Sequence, residues 1–265
     1  MSTTTLTRTI LKGGRAASWA PVAAMVVAIA TWWFLTTVFV APQSLVRDFA
    51  PQRVTPALVG LLERGVLFGD IAASLWRLLV GLLIAAVIGI PLGLLVGLNV
   101  TVEQATRPVI QFLRMISPLS WAPIAVALLG VGHRPVFFLI AAAAVWPIAM
   151  NTTAGVHAID PGHLLVARSL GANRREWLAA IVLPAIRAHV QTGLRVGLGI
   201  AWIVLVPAEM LGVQSGLGYQ ILNARDQLAY DQVMAVIVVI GVLGFVLDFL
   251  ARHLSGAGRG GGGLR

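Results

Sequence analysis

A basic, amphipathic segment at residues 165–184 has the residue spacing in this chain that is most indicative of function. Gly171 is followed at fixed distances by Ile181, Leu183 and Pro184. Long apolar stretches flank the segment, and arginines would gain little from a position inside lipid. The pattern predicts a short helix–turn–helix that contacts a soluble partner, so its chemistry would be recognition rather than bond-making.

Local signals place two short helices around a glycine turn in this segment. Asp160 can cap a first helix, which is expected to end near Gly171, where the backbone can adopt a positive φ. Asn173 followed by Glu176 predicts a capping box for a second helix, which Pro184 would stop or kink. A basic helix that lies against lipid phosphates is the alternative interpretation.

The elements that position this segment are predicted to be membrane-spanning helices. The chain has 265 residues, of which 58% are hydrophobic and 11% charged, and its mean hydropathy is +0.89. Soluble domains carry about 25% charged residues, whereas about 20 apolar residues cross a bilayer. We therefore expect an all-α polytopic membrane protein with six transmembrane helices, at 20–41, 72–98, 109–131, 135–155, 188–211 and 233–253.

The same pattern divides the chain into one membrane domain and two flanking segments. Residues 1–19 are predicted to be cytoplasmic, residues 20–255 to form a single transmembrane domain with a cytoplasmic loop at about 157–187, and residues 256–265 to be a glycine-rich disordered tail. Basic residues are more frequent in the loops that this places inside, which predicts that both termini are cytoplasmic in a cell (inner or plasma) membrane.

Two smaller features concern packing and the outer surface. Glycines recur at four-residue spacing in the second and fifth predicted spans, at 89, 93 and 97 and at 193 and 197. Small residues on one face allow close helix approach, within one subunit or between two. In the outer segment 42–71, Thr55 followed by Pro56 predicts a short amphipathic helix on the membrane surface.

Neither catalysis nor nucleic-acid binding is predicted for this chain. It lacks cysteine and the motifs GxxxxGK[ST], GxSxG and HExxH, and its histidines are not at metal-ligand spacing with carboxylates. We therefore expect no catalytic residue, no metal and no cofactor in the chain. The net charge of +9 fits a positive-inside distribution, since no nucleic-acid-binding footprint accompanies it.

Polar residues inside the predicted spans are candidates for a pathway or a gate. Glu209 is ionisable at membrane depth, which by default marks a functional position. We expect a structural or gating role, and an ion pair with Arg225 is one possibility. Trp202 precedes it in the same span. Asn151 and Thr152 close the fourth span, where they could line a hydrophilic route or bond a neighbouring helix.

Residues 165–184 resemble a loop shared by the inner-membrane permeases of binding-protein-dependent ABC importers. The family pattern is Glu-Ala-Ala, three residues, Gly, nine residues and Ile-x-Leu-Pro, and here leucine and valine replace the glutamate and the first alanine. In that family the loop inserts into a groove on the ATPase subunit. The resemblance assigns the corresponding docking contacts to Ala167, Arg168, Gly171, Ala172, Ile181, Leu183 and Pro184.

Further stretches are similar to the nitrate, sulfonate and taurine branch of that family. They extend from about Ser74 to Asp248 and comprise residues 74–93, 114–124, 146–156, 208–211 and 240–248. The string Ser-Pro-Leu-x-Trp-x-Pro at 117–123 leans toward the nitrate and bicarbonate members.

The resemblance implies a type I importer architecture and a division of labour between chains. This chain would be a permease subunit that forms the path for a small oxyanion such as nitrate, bicarbonate or a sulfonate. Its partners would be P-loop ATPase subunits that hold the ATP, an extracytoplasmic solute-binding protein and a second permease copy, giving a homodimer. An ion-coupled secondary transporter is the alternative; it should show an inverted repeat, and none is visible. A membrane-embedded enzyme is a further alternative; it would need a group of catalytic or metal-binding residues, and none is visible in the sequence.

Overall fold

The computed structural model describes residues 16–41, 44–160, 162–163, 169 and 171–256, and this part of the chain is helical and has no strand. The predicted all-α class is therefore confirmed. The predicted flanking segments 1–19 and 256–265 lie largely outside the described residues. The helices are α1 (Ala16–Thr37), α2 (Pro51–Glu63), α3 (Val66–Leu98), α4 (Val100–Met115), α5 (Ala122–Leu129), α6 (His133–His157), α7 (Arg174–Trp177), α8 (Leu183–Gly212), α9 (Leu217–Asp226) and α10 (Tyr230–Gly256).

Four helical stretches in the described residues are long and apolar enough to cross a membrane. They are Val66–Leu98, His133–His157, Arg175–Gly212 and Tyr230–His253. A fifth crossing exists if α4 and the bent segment after it are counted as one span, and the apolar part of α1, Val22–Thr37, is shorter. The chain is thus a multi-pass membrane protein, and the count of six spans stays a prediction.

The predicted third span, 109–131, is not one straight helix. α4 ends at Met115, a 3₁₀ turn follows at Pro118–Trp121, and α5 leaves at 84° to α4. The cause is local: Ser117 precedes a proline and has an extended ψ of 129°, since the proline ring disfavours the helical conformation in the residue before it. The two helices together are apolar enough to be read as one span, so average hydropathy does not reveal the bend.

α6 is the central helix of the bundle and packs between α3 and α8. Its apolar residues Leu139, Ile140, Ala144 and Ile148 are at most 1% exposed. Side chains from both neighbouring helices complete this core, among them Leu78 of α3 and Leu205 of α8. The inner helix of the bundle is therefore apolar on all sides, as expected for a helix buried within a membrane domain.

The two glycine series serve packing inside one subunit. Gly89, Gly93 and Gly97 of α3 lie against α6, and a Cβ atom added at Gly89 would be 2.9 Å from the carbonyl oxygen of Val145. On the other side of α6, a Cβ at Gly193 would be 3.1 Å from the Cα of Ile148. The spacing thus predicted close approach correctly, and the structure identifies α6 as the partner of both series.

We expect Gly93→Ala to destabilise the bundle by about 1–3 kcal/mol, the usual cost of overpacking a filled core. The added methyl group would meet the backbone carbonyl of Ala149, which cannot move without shifting α6. Thermal unfolding of the detergent-solubilised protein would measure the change. Gly69→Ala in the same helix is the matched control because nothing lies near its Cβ position. Equal melting temperatures for the two variants would contradict the packing argument.

The outer segment forms a longer helix than its sequence predicts. α2 begins at Pro51, with Ala50 as its N-cap, so the predicted start at Thr55 is wrong and Pro56 lies inside the helix. Pro51 already provides a proline at the first helical position, where the missing N–H costs nothing. The apolar side of α2 is not left on the membrane surface, because Val54 and Leu61 are buried against α10.

Candidate functional site

The turn in the basic segment is built as its sequence predicts. Gly171 has φ = +74°, the left-handed conformation that glycine adopts without steric cost. Asn173 caps α7: its Oδ1 accepts the N–H groups of Arg175 at 3.0 Å and Glu176 at 2.9 Å, and Glu176 Oε2 accepts the N–H of Asn173 at 2.9 Å. The capping box is therefore confirmed. Ala167 and Arg168 lie outside the described residues.

The cap predicted for the preceding helix is also present. Asp160 Oδ1 accepts the backbone N–H of Gly162 at 2.7 Å, and the carbonyl oxygen of Asp160 accepts the N–H of His163 at 3.1 Å. The side-chain bond is the one that an N-terminal capping carboxylate makes. Most of the helix that it would start falls in the part of the chain that is not described.

Pro184 does not stop the second helix, so of the two predicted effects, a stop or a kink, the stop is wrong. α7 continues through a π-helical turn at Leu178–Val182 into α8, in which Pro184 occupies the first turn. In the π turn the N–H of Leu183 donates to the carbonyl oxygen of Leu178, five residues earlier. A proline cannot donate to an α-helical ladder, and the wider turn lets the helix pass this position without ending.

The basic segment is anchored on one end of the bundle, next to α6 and the start of α8. Val182 and Ile186 are at most 1% exposed and pack with Val156 of α6. Trp177 and Leu178 pack against the same cluster. Among the predicted docking residues, Ala172 and Ile181 are half-buried, whereas Gly171, Leu183 and Pro184 are exposed. One side of the segment is therefore fixed to the bundle and the other faces away from it.

A second polar site lies at the opposite end of α8, where Glu209 is fully buried. Its Oε1 atom is 2.6 Å from Nη1 of Arg77, which is itself 1% exposed. Ser74 Oγ donates to both carboxylate oxygens, at 2.9 and 2.8 Å, and the N–H of Gly218 donates to Oε2 at 2.9 Å. The carboxylate is thus paired with a charge and fully hydrogen-bonded, as a buried charge requires.

The guanidinium of Arg77 connects two further elements at this site. Nη1 also donates to the carbonyl oxygen of Ser215 at 2.7 Å, Nη2 donates to the Ser215 hydroxyl at 2.6 Å, and Nε donates to Nδ1 of His133 at 3.0 Å. Asp70, two turns before Arg77 in α3, accepts the N–H of Gly216 at 2.6 Å. The cluster therefore ties α3, α6 and α8 to the loop that precedes α9.

Gly216 is required where that loop crosses the ion pair. Its φ is +102°, and a Cβ atom there would lie 2.5 Å from both Arg77 Nη1 and Glu209 Oε1. The loop backbone can pass over the charged groups only because this residue has no side chain.

The ion pair between Glu209 and Arg225 that the sequence allowed does not form. Arg225 is exposed and pairs with its neighbour Asp226 at 2.8 Å. The true partner, Arg77, had a signal in the sequence, because Asp70, Ser74 and Arg77 follow one another at four- and three-residue spacing and so share one face of an otherwise apolar helix.

The remaining pathway candidates are dispersed over the bundle. Thr152 is fully buried beside Gly93 and donates to the carbonyl oxygen of Ile148 at 2.8 Å. Asn151 donates to Pro147 O in its own helix, and Trp202 packs in the core with its Nε1 facing Gly244. These side chains serve helix packing in this structure, and none of them meets Glu209.

Comparison with known proteins decides the family. Residues 89–257, more than half of the chain, match the model of the binding-protein-dependent transport system inner membrane component.

The chain belongs to this family.

Curated relatives support the assignment over most of their length. The permease is 34% identical to the taurine transport system permease protein TauC of Escherichia coli over 238 residues, covering 87% of this chain and 85% of that protein. It is 40% identical to the bicarbonate transport system permease protein CmpB of Synechococcus elongatus (74% and 70% covered) and 39% identical to the nitrate import permease protein NrtB of Leptolyngbya laminosa (71% and 68%).

The fold is also that of a solved importer. A chain of the inward-facing MetNI methionine ABC transporter superposes with a TM-score of 0.63 at 18% identity, covering 73% of the permease and 96% of that chain. The predicted type I importer architecture is therefore confirmed. The permease is a transport subunit, and importers of this family work with ATPase and solute-binding partners.

Proposed function

We propose that the permease forms the path for a small oxyanion, such as nitrate, bicarbonate or a sulfonate like taurine, as one of two identical copies in an ATP-driven importer. The observation that carries the proposal is the identity of 34–40% to permeases named for taurine, nitrate and bicarbonate, which extends over most of each chain. These three solutes share a compact, negatively charged group with several oxygen atoms. A solute-binding protein outside the cell would deliver the cargo.

The ATPase contact is assigned to the glycine turn and α7, together with Ala167 and Arg168. Support comes from exposure: Gly171, Arg175 and Glu176 face away from the bundle, while Trp177 and Val182 hold the other side of the segment in place. A surface that is rigidly anchored and open on one side suits docking to a preformed groove. Loss of the family glutamate at position 165 removes one charged contact and leaves the rest of this surface.

The proposed cycle couples this contact to the path. ATP binding closes the ATPase pair, displaces the docking turns and tilts the spans from an inward- to an outward-facing arrangement; hydrolysis resets them. The helical stretch Arg175–Gly212 supports this coupling because it runs without a break from the docking surface to Glu209. In this scheme both termini are cytoplasmic, and the Glu209 cluster acts as a structural or gating element at the outer end.

We expect a stoichiometric P-loop ATPase to co-purify with the tagged permease from native membranes in mild detergent. Scrambling residues 165–176, which leaves the anchoring residues Trp177 and Val182 in place, should abolish this association while leaving the melting temperature of the permease within a few degrees of its original value. The solute-binding protein that accompanies the complex would then be titrated with nitrate, bicarbonate and taurine.

The opposite result would favour a secondary transporter. Recovery of the permease without an ATPase in several detergents, together with transport driven by an ion gradient in liposomes, would overturn the importer proposal. A second copy carrying a different tag, co-expressed with the first, tests the homodimer in the same experiment.

A further inference from the structure

A polar groove of about 1170 Å³ lies between α8 and α10, on the side of α8 that faces away from the core. Its α8 wall carries Arg187, Gln191 and Arg195, which are four residues apart and therefore share one face of the helix. Thr192 lies beside them, and Asp248 and Arg252 of α10 form the opposite wall. The groove is thus lined by three guanidinium groups, two on α8 and one on α10, and by one carboxylate.

The position of Arg195 along its membrane-crossing helix indicates what the groove could bind. Arg195 lies in the membrane-crossing stretch Arg175–Gly212, and its 17-residue separation from Gly212 corresponds to roughly 26 Å along the helix. That distance is within the hydrocarbon thickness of about 30 Å. By this measure Arg195 lies close to the inner edge of the hydrocarbon layer, and arginines in membrane-crossing segments that face a water-filled cavity or a partner mark the routes of ions and substrates.

The internal partner of Arg195 is a weak one. Asp248 Oδ1 accepts from Arg195 Nε at 3.3 Å, whereas its Oδ2 accepts from Arg252 Nε at 2.7 Å. The carboxylate is therefore held mainly by Arg252, and the terminal nitrogens of Arg195 remain available. The Arg195 side chain is 37% exposed and lines the groove, which would let its guanidinium bind two oxygens of one anion in parallel.

We propose that this groove is a binding site for the transported oxyanion on the inner half of the path, in which Arg195 contacts the anion and Gln191 donates a neutral hydrogen bond. Asp248 acts as an internal counter-anion: it pairs with Arg195 when the path is empty and is displaced when cargo arrives. This exchange keeps binding weak enough for release. The inference rests on the proposed oxyanion transport and adds the residues that make the contact.

The absence of cysteine in the chain allows a direct test of the groove. In the assembled importer, Thr192→Cys would be modified with an anionic and a cationic methanethiosulfonate reagent of similar size. A groove with excess arginine should favour the anionic reagent by about tenfold or more, since charged clefts concentrate counter-ions to that extent. Adding Arg195→Gln should reduce this preference, and the transported anion should slow the modification. Ser120→Cys, exposed outside this groove, is the matched control.

Transport in proteoliposomes provides the second readout. Arg195→Gln should lower uptake of the cargo anion at least tenfold while ATPase association is unchanged, and Arg195→Lys should retain part of the activity because it keeps the charge but loses the parallel contact. Arg114→Gln, which lies in a different cavity between α3, α4 and α6, should transport normally.

Three results would overturn the inference: equal reactivity toward both reagents, no protection by nitrate, bicarbonate or taurine, or a Thr192→Cys side chain that is inaccessible in the assembled importer. The last result would make this face an interface between copies. If the unmodified importer transports none of the three solutes, the oxyanion proposal itself fails, whereas the reagent preference still reports on the groove.

Discussion

Replacing Arg77 with methionine is expected to lower the stability of the bundle by about 3–5 kcal/mol, because removing one partner of a buried ion pair leaves an uncompensated charge. Glu209 would keep its bonds from Ser74 and Gly218 but lose its only cationic partner among the described residues. The Ser215 carbonyl and hydroxyl and His133 would lose their donor as well. The effect would be measured by heating the protein in detergent and recording the fraction that remains monodisperse.

A second variant separates the charge from the contacts. Arg77→Met combined with Glu209→Met removes both charges, and such replacements of buried pairs by apolar residues are often neutral or stabilising. We therefore expect the double variant to melt well above the single one. If the double variant folds but its importer no longer transports, the cluster has a gating role. An Arg77→Met protein that melts like the original would contradict the buried-pair argument.

The second large effect is expected at the docking turn. Gly171→Val should uncouple transport from ATP hydrolysis or prevent ATPase assembly, because a β-branched residue at φ = +74° is strained by about 1–2 kcal/mol or more and would unwind the turn. Among the described residues, no atom lies within 4 Å of the Cβ position of Gly171, so the expected cause is the backbone conformation and not a clash. Transport and ATPase rates of the reconstituted complex measure the coupling.

Two substitutions test that cause. Gly171→Asn should restore most of the coupling, since asparagine tolerates the left-handed conformation. Gly241→Val, in α10, adds the same side chain where the space is open and φ is ordinary, and should leave coupling intact. Full transport and normal assembly in Gly171→Val would exclude the docking role of this turn.

Local features of this permease could be predicted from its sequence, whereas the partners of its buried groups could not. The Gly171 turn and the Asn173 cap depend on residues within six positions of each other, so their types suffice to define them. The partner of Glu209 lies 132 residues away, and only the packing of α3 against α8 brings the two together. Spacing along α3 showed which face was polar but not what it would meet.

The bend after α4 and the continuous passage from α7 into α8 show a further limit of prediction from the sequence. Prolines occur at both places, yet Pro118 coincides with an 84° bend and Pro184 with a helix that continues. The difference comes from the surroundings. Val182 precedes Pro184 and Ile186 follows it, and both are buried in the same apolar cluster, which favours a helix that continues through this position. Hydropathy and proline position alone do not contain that information.

The π-helical turn before Pro184 affects the angle by which the docking turn is rotated about the axis of α8. Each residue of an α-helix turns the chain by about 100°, and one π turn takes up one residue more than an α turn. The wide turn at Leu178–Val182 therefore shifts the rotational phase between the docking turn and α8 by about one residue. A variant in which this turn closed to an α turn would rotate the docking surface by about a quarter of a circle relative to the groove-lining face. The fixed spacing from Gly171 to Pro184 therefore determines the direction in which the docking surface faces, in addition to being a family sequence pattern.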